Sequence, residues 1–500
     1  MVYGLKNRFG LLVGLSGLAT MIGFATQLLV AFHFGTNNVL DDYWLMLSIA
    51  TGLCFVVHPL RESLISYVFR TRSSDPALAS GLITAGAILL FCCSVVGALV
   101  LAGISQYSGS FLSMRGGELN SLVLIFIPFL FLYSLAEMCN ALLVSYDQAL
   151  SQAWARCLSA VAAVACLGLL GGILGILAMV ISLLVGQVIV LFFSVVALRS
   201  KGVEWKYLGI GVLKERAFLS MFVALIVSHL LAHFYVIIER LTMHSLEAGA
   251  LSAYQYATLL VNVVITLFAV PLSNVLWPRL MELEKNGDRQ EMLGLLGNTM
   301  APVIFFIMAI SAFTWYSAPD VVSAVFERGE FTGESHQKTT EALRLTIFAA
   351  VPLSTMMVIM RGLMSQGQSG KVATIGSVIA VVGVGVLALG WLMESLPVAQ
   401  SHWAVSSMVG AGLACFMMVR SSGGGCRVLW PVLRSLAMGL IVVLLPLALI
   451  PDINIDRRVW WKIVVMLSIK GALYGGMVLL AAIVLKLVSL KKLVGWIRFG

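Results

Sequence analysis

The chain has 500 residues, of which 60% are hydrophobic and only 11% are charged. A soluble domain is usually about a quarter charged, so this composition excludes an array of soluble domains and predicts a chain embedded in a bilayer. The formal net charge of +9 comes from lysines and arginines in short segments between apolar runs, which argues for membrane orientation and against a nucleic-acid partner.

Apolar runs of about 20 residues follow one another along the chain, and each is long enough to cross a bilayer as a helix. We therefore predict an all-α integral membrane fold with about fourteen transmembrane helices. In chain order the spans lie near residues 9–33, 43–69, 77–106, 120–146, 150–171, 174–198, 217–240, 251–277, 296–318, 341–364, 371–393, 402–420, 429–450 and 460–487.

Basic residues are concentrated in the even-numbered loops and at the two ends of the chain, and the largest basic loop is residues 199–216. Because cytoplasmic loops carry an excess of Lys and Arg, we expect both termini to lie in the cytoplasm. An even number of spans agrees with that orientation.

The two halves of the chain resemble each other. Pro59 in span 2 matches Pro271 in span 8, and Pro128 in span 4 matches Pro352 in span 10. The matched spans run in the same direction, so we predict a parallel pseudo-repeat, related by an axis along the membrane normal. Such a repeat predicts a cleft between two lobes that opens alternately to each side of the membrane.

This repeat divides the chain into four parts. We expect an N-terminal lobe of six helices at 1–198, a cytoplasmic basic linker at 199–216 and a C-terminal lobe of six helices at 217–420. Residues 421–500 then hold spans 13 and 14 and a cytoplasmic tail.

Charged residues inside spans are candidates for function, because each costs roughly 2.5–3.5 kcal/mol at the bilayer centre. The candidates for the substrate cavity are Arg61, Glu62, Glu137, Arg156, Glu239, Arg240 and Arg361. Neutralised structural pairs and side chains that reach the headgroups are the alternatives. Glu137 and Arg361 each lie nine residues after a matched proline, so we hypothesise that they face each other across the lobe interface.

His229 and His233 are spaced i, i+4, which places both rings on one face of a helix. No third ligand follows at a useful spacing, so we predict no metal, and we keep helix packing and proton sensing as alternatives. The sequence has no phosphate-binding loop and no catalytic triad in a soluble context. We expect no enzyme and no cofactor, and we expect transport to draw on a proton or sodium gradient or on the membrane potential.

Several short motifs resemble the MurJ/MviN flippases of the MOP superfamily. The most specific is the segment 326–332, FERGEFT, followed by Thr340-Glu341-Ala342-Leu343 after span 9. Further similar stretches lie at 22–25, 34–35, 42–43, 239–240, 247–250, 256–257, 276–280, 361–363 and 365–367.

The resemblance implies two six-helix lobes with two extra C-terminal helices in a bacterial cytoplasmic (inner) membrane. It implies transport of a polyprenyl-diphosphate-linked saccharide, such as the peptidoglycan precursor lipid II, from the inner to the outer leaflet. Spans 13 and 14 would form a groove for the lipid tail, with Lys470 as a candidate contact. Membrane lipids and glycan-synthesis enzymes are the expected partners.

The chain departs from the family at arginines that line the flippase cavity. Thr20, Thr26 and Leu259 stand at those positions, and Gln27 replaces an acidic residue. Guanidinium groups suit a diphosphate, so their loss favours an exopolysaccharide-type intermediate over lipid II. One alternative is an ion-coupled drug or metabolite exporter of the same superfamily, with Glu137 as its deep lone carboxylate. A membrane-embedded glycosyltransferase or polymerase is a further alternative, which would need a larger loop bearing catalytic carboxylates.

Overall fold

The structure is a computed structural model that describes residues 2–72, 75–111, 118–146, 148–201, 203, 216–422 and 460–484. These residues form seventeen α-helices, one short 3₁₀ helix at Ile347–Ala349 and no strand, which confirms the all-α fold class. The helices are α1 (Val2–Phe34), α2 (Asn38–Leu53), α3 (Val57–Thr71), α4 (Pro76–Phe111), α5 (Glu118–Ser145), α6 (Ala149–Leu174), α7 (Ile176–Arg199), α8 (Arg216–Leu246), α9 (Ala250–Lys285), α10 (Arg289–Tyr316), α11 (Ala318–Phe326), α12 (Gly333–Thr346), α13 (Ala350–Ser365), α14 (Ser369–Leu392), α15 (Leu396–Gln400), α16 (His402–Ser422) and α17 (Trp460–Val484).

Twelve spans among the described residues are long and apolar enough to cross a membrane, and the bent pair α2–α3 brings the number to thirteen. The predicted span at 429–450 lies outside the described residues, as do most of the linker 199–216 and the tail beyond residue 484. The thirteen predicted spans that fall on described residues therefore each correspond to a span of the structure.

The chain packs as two units. The first comprises Met1–His244 with Arg328–Phe331, and the second comprises Ser245–Glu327 with Thr332–Gly500. Helix α8 thus belongs to the first unit, whereas the predicted boundary placed it in the C-terminal lobe. The physical reason is its contact with α2, where Arg240 donates to the carbonyl oxygen of Trp44 at 3.0 Å and His244 lies 2.7 Å from a carboxylate oxygen of Asp42.

A break separates α2 from α3 and bends the span by 50°. Pro59 lies in the first turn of α3, where its ring and missing N–H weaken a helix through the preceding turn. Gly52 lies just before the break, and a side chain there would meet the terminal methyl group of Ile237 on α8. The absence of a side chain at Gly52 therefore lets α8 pack closely against the end of α2.

The second unit has its core among α9, α10, α13, α14 and α16. Leu280, Leu296 and Ile359 are fully buried there, and they exemplify a larger aliphatic cluster. Helix α17 packs against α10, where Tyr474 stacks on Phe313 with ring centroids 5.4 Å apart.

Residues Arg328–Phe331 of the FERGEFT motif belong to the first unit, where they form a turn against the end of α1. The amide of Glu330 donates to the carbonyl oxygen of Phe32 at 2.9 Å. Gly329 has φ +61°, and a Cβ there would collide with the same carbonyl oxygen. Only glycine combines this left-handed backbone with such a close approach, which explains the motif physically.

Candidate polar cavity in the first unit

An ion pair between α3 and α5 organises the polar interior of the first unit. Nη1 of Arg61 lies 2.9 Å from Oε2 of Glu137, and the side chains are 29% and 15% exposed. Asn140, one turn further along α5, donates its amide to Oε1 of the same carboxylate at 3.2 Å. Both oxygens of Glu137 are thus engaged by protein donors, so this residue is not the lone carboxylate predicted for an exporter.

A cavity of about 350 Å³ opens beside this pair, between α1, α5, α6 and α7. That volume lies at the lower end of the range typical of small-molecule sites. Polar groups line much of its wall, and they come from Thr26, Gln27, Glu137, Asn140, Arg156, Ser159, Ser182 and Gln187. The cavity therefore offers hydrogen-bonding groups to a polar ligand, inside a unit whose helices are otherwise apolar.

The two residues that bond Glu137 each bury one polar atom without a hydrogen-bond partner among the described residues. They are Nε of Arg61, a donor, and Oδ1 of Asn140, an acceptor. A buried polar atom left unsatisfied costs about 1–3 kcal/mol, so native structures usually provide a partner. Asn140 lines the cavity, so a polar ligand or water there would relieve that cost for its side-chain oxygen.

Arg156 on α6 is the cationic group among the residues that line the cavity. Its side chain is exposed, and no ion-pair partner for it occurs in the described part of the chain. A guanidinium in this position presents several donors in a planar fork that fits phosphate oxygens. The cavity thus combines one accessible cation with neutral hydrogen-bonding groups.

The second unit contains a contact that matches the ion pair of the first. Nε of Arg361 on α13 donates to Oγ of Ser273 on α9 at 3.1 Å. Arg61 and Ser273 each lie two residues after the matched prolines Pro59 and Pro271, and Glu137 and Arg361 each lie nine residues after the other matched pair. Each unit therefore joins equivalent spans at equivalent positions, which supports the predicted repeat. Within the first unit the ion-pair partner of Glu137 is Arg61. That Glu137 and Arg361 face each other across the lobe interface stays a prediction.

The other predicted site residues lie elsewhere. Arg240 bonds the backbone of Trp44 and stacks over its ring, and its neighbour Glu239 is half-buried on the same helix. Glu62 is half-exposed and lies 4.0 Å from His229. The ammonium group of Lys470 is buried in the second unit, 3.1 Å from the carboxylate of Asp320.

Sequence reasoning missed several residues of the cavity. Asn140 and Gln187 carry no charge, so the cost of burial did not single them out. The spacing of Asn140 three residues after Glu137 is a usable signal, because residues at i and i+3 share one helix face.

The family model for the lipid II flippase MurJ matches residues 77–467, which is more than three quarters of the chain. The chain belongs to the MurJ family. It is therefore a multi-pass membrane protein of a flippase family, not of a catalytic enzyme family, and that family moves lipid-linked precursors.

Solved structures agree with the fold of the MurJ family. A structure described as "Lipid II flippase MurJ, inward closed conformation" has a TM-score of 0.75 at 15% identity, covering 95% of this chain and 98% of that one. An inward-facing multidrug resistance MATE transporter of the MOP superfamily has a TM-score of 0.65 at 15% identity, covering 85% and 98%. A MOP superfamily transporter from Pyrococcus furiosus reaches 0.56 at 17% identity, covering 83% and 96%. No curated protein sequence matches the chain.

Proposed function

We propose that this MurJ-family protein flips a polyprenyl-diphosphate-linked saccharide from the inner to the outer leaflet of a bacterial inner membrane, with both termini in the cytoplasm. The observation that carries the proposal is the polar cavity of the first unit, where Arg156 stands beside Asn140 and the ion pair of Glu137. No step of this function requires a covalent reaction by the chain.

The cavity chemistry suits the head of such a lipid. The guanidinium of Arg156 would bind phosphate oxygens in charge-assisted hydrogen bonds, which are roughly twice as strong as neutral ones. The amides of Asn140, Gln27 and Gln187 would exchange hydrogen bonds with sugar hydroxyls. The apolar tail stays in the lipid phase throughout, so the protein needs to shelter only the polar head, by alternating access of its two lobes.

Within this class, we favour an exopolysaccharide-type intermediate over lipid II. Thr26 lines the cavity where the family pattern has an arginine, and its hydroxyl donates to the carbonyl oxygen of Ile22 at 3.2 Å. Glu137 also neutralises the nearby Arg61. The wall therefore carries less positive charge than the family pattern, which suits a cargo recognised more through its sugars.

The predicted exporter lacks a specific observation in its favour. Its deep lone carboxylate, Glu137, is held by both Arg61 and Asn140. The similarity to a MATE transporter, at 15% identity, shows a shared fold and does not indicate a shared cargo.

Lys470 remains a prediction as a contact for the lipid tail. Its ammonium group is bound to Asp320, so any role there would come from its aliphatic stem or from the position of α17. Membrane lipids and glycan-synthesis enzymes are the partners we propose for the whole protein.

Complementation separates the two cargos. One bacterial strain would be depleted of its lipid II flippase, and another would lack the flippase of an exopolysaccharide pathway. We expect rescue of polymer export in the second strain only, with immunoblots showing equal amounts of protein in both membranes. Rescue of growth in the first strain would overturn the cargo preference, while rescue of neither, together with no flipping of either lipid in liposomes, would overturn the function.

A further inference from the structure

Three of the seven histidines of the chain meet at the break between α2 and α3. His58 lies in the first turn of α3, while His229 and His233 lie one turn apart on α8. The ring of His58 stacks on both, with centroid distances of 5.9 and 6.1 Å and interplanar angles of 20° and 19°. All three side chains are half-buried. The polar cavity described above does not include any of them.

The hydrogen bonds of this histidine cluster fix where a proton can be added. Nδ1 of His229 lies 2.9 Å from the carbonyl oxygen of Leu225. A carbonyl only accepts, so Nδ1 carries the hydrogen and the lone pair of the neutral ring is on Nε2. That Nε2 lies 4.0 Å from a carboxylate oxygen of Glu62. A proton arriving at Nε2 would therefore complete an ion pair.

Other charged and titratable groups surround the cluster. The hydroxyl of Tyr133 on α5 lies 3.0 Å from Nε2 of His58. Arg61 and Glu137, which form the ion pair beside the cavity, lie one turn after His58 and one turn after Tyr133 respectively. Cys54 is buried at the break itself. Because like charges at about 6 Å repel, one proton is favoured by Glu62, whereas a second on a neighbouring ring is opposed.

A metal is a poorer occupant than a proton. The described residues contain no group of three His, Cys, Asp or Glu side chains placed to hold a metal ion.

We propose that His58, His229 and His233 form a proton-binding site that takes up one proton, at Nε2 of His229 opposite Glu62. The site connects α8 to the start of α3, at the break between α2 and α3. Binding of the proton therefore changes the contact between α8 and α3. The repeat does not reproduce it, because Val270 and Met357 stand at the positions that match His58 and Tyr133. The proton site stands on geometry alone, whereas its link to transport rests on the proposed flippase function.

Histidine-labelled protein in lipid bilayers tests the site directly by nuclear magnetic resonance. Spectra between about pH 5 and 8 report the protonation state of each ring. We expect the three rings together to take up one proton in this range, and we expect Glu62→Gln to weaken that uptake, because it removes the carboxylate that lies 4.0 Å from Nε2 of His229. His402→Gln is the matched control, since His402 also lies beside a tyrosine hydroxyl, at 3.2 Å from Tyr254 in the second unit. Three rings that stay neutral throughout, or proton uptake that Glu62→Gln leaves unchanged, would overturn the proposal.

Transport in liposomes tests the functional link. Flipping of a lipid-linked saccharide would be measured against pH at a clamped membrane potential. We expect a pH dependence that His229→Gln flattens and that His402→Gln retains. A wild-type protein that flips at a rate independent of pH would disprove the link but not the flippase. Absence of flipping would instead contradict the proposed function, and the resonance experiment would still decide the proton site.

Discussion

The two units build the same contact with different chemistry. In the first unit, Arg61 and Glu137 form an ion pair beside a polar cavity, on a span that breaks before Pro59. In the second unit, Arg361 donates to the hydroxyl of Ser273 at the matched positions. Ser273 lies on α9, which runs unbroken through the matched Pro271. The comparison teaches that the repeat fixes where two spans meet, while the side chains at the meeting point decide what the unit can bind.

Proline alone does not explain the difference in backbone. Both spans carry the matched proline, but Gly52 lies seven residues before Pro59, and Val264 lies seven residues before Pro271. Glycine weakens a helix by about 0.5–1 kcal/mol relative to alanine and lets Ile237 of α8 approach. The break therefore needs the glycine and the neighbouring helix as well as the proline.

The largest effect is expected where an ion pair is most deeply buried. Lys470 and Asp320 are 5% and 17% exposed in the second unit, so Lys470→Ala leaves a carboxylate buried without its partner. We expect a loss of about 3–5 kcal/mol of stability, measured by thermal unfolding in detergent. Lys470→Ala with Asp320→Ala should recover most of it. If the single and the double variant lose the same stability, the unpaired carboxylate of Asp320 is not the cause of the loss.

Breaking the ion pair of the first unit should have the next largest effect. Arg61→Ala removes the charge partner of Glu137, and the partial exposure of both side chains limits the cost to about 2 kcal/mol. We expect flipping in liposomes to fall much more than stability, because the pair forms part of the cavity. The charge-reversed double variant Arg61→Glu with Glu137→Arg should regain stability. If it unfolds as readily as Arg61→Ala, the pair is not held by charge.

The backbone difference predicts a smaller change at Gly52. Gly52→Val puts a branched side chain against Ile237, whose terminal methyl group can shift only in part, so we expect a loss of about 1–2 kcal/mol. The matched control is Val264→Gly in α9, which should cost about 1 kcal/mol through helix propensity alone. A Gly52→Val variant that is more stable than the wild type would show that Ile237 of α8 leaves room for a side chain at position 52.

The smallest effect is expected at the matched serine. Ser273→Ala removes one hydrogen bond to Arg361, and we expect a loss of about 1 kcal/mol or less. Thermal unfolding beside Arg61→Ala gives the direct comparison. A loss as large as that of Arg61→Ala would mean that the two contacts carry equal weight, despite their different chemistry.

The sequence predicted the membrane class and the spans, because long apolar runs leave a strong signal. Of the charged candidates for the substrate cavity, Glu137 and Arg156 line the cavity of the first unit. The sequence did not predict the partner of Glu137. Arg61 is 76 residues away in the sequence, and other buried cations were equally plausible partners on sequence grounds. The place of α8 in the first unit depends on contacts with Gly52 and Trp44, which no local pattern reveals. His58 was overlooked because a single histidine carries no burial signal until a fold brings others beside it.

The most direct test is flipping by the purified protein in liposomes that hold a lipid-linked saccharide with a fluorescent sugar. An impermeant quencher reports how fast the head appears on the other leaflet. We predict that the wild type flips faster than protein-free liposomes, and that Arg156→Gln slows flipping roughly tenfold, as loss of about 1.4 kcal/mol of charge-assisted binding would do. Stability should stay within about 0.5 kcal/mol of the wild type, because Arg156 is exposed. Equal rates with and without the protein, for both lipid II and an exopolysaccharide-type lipid, would contradict the account.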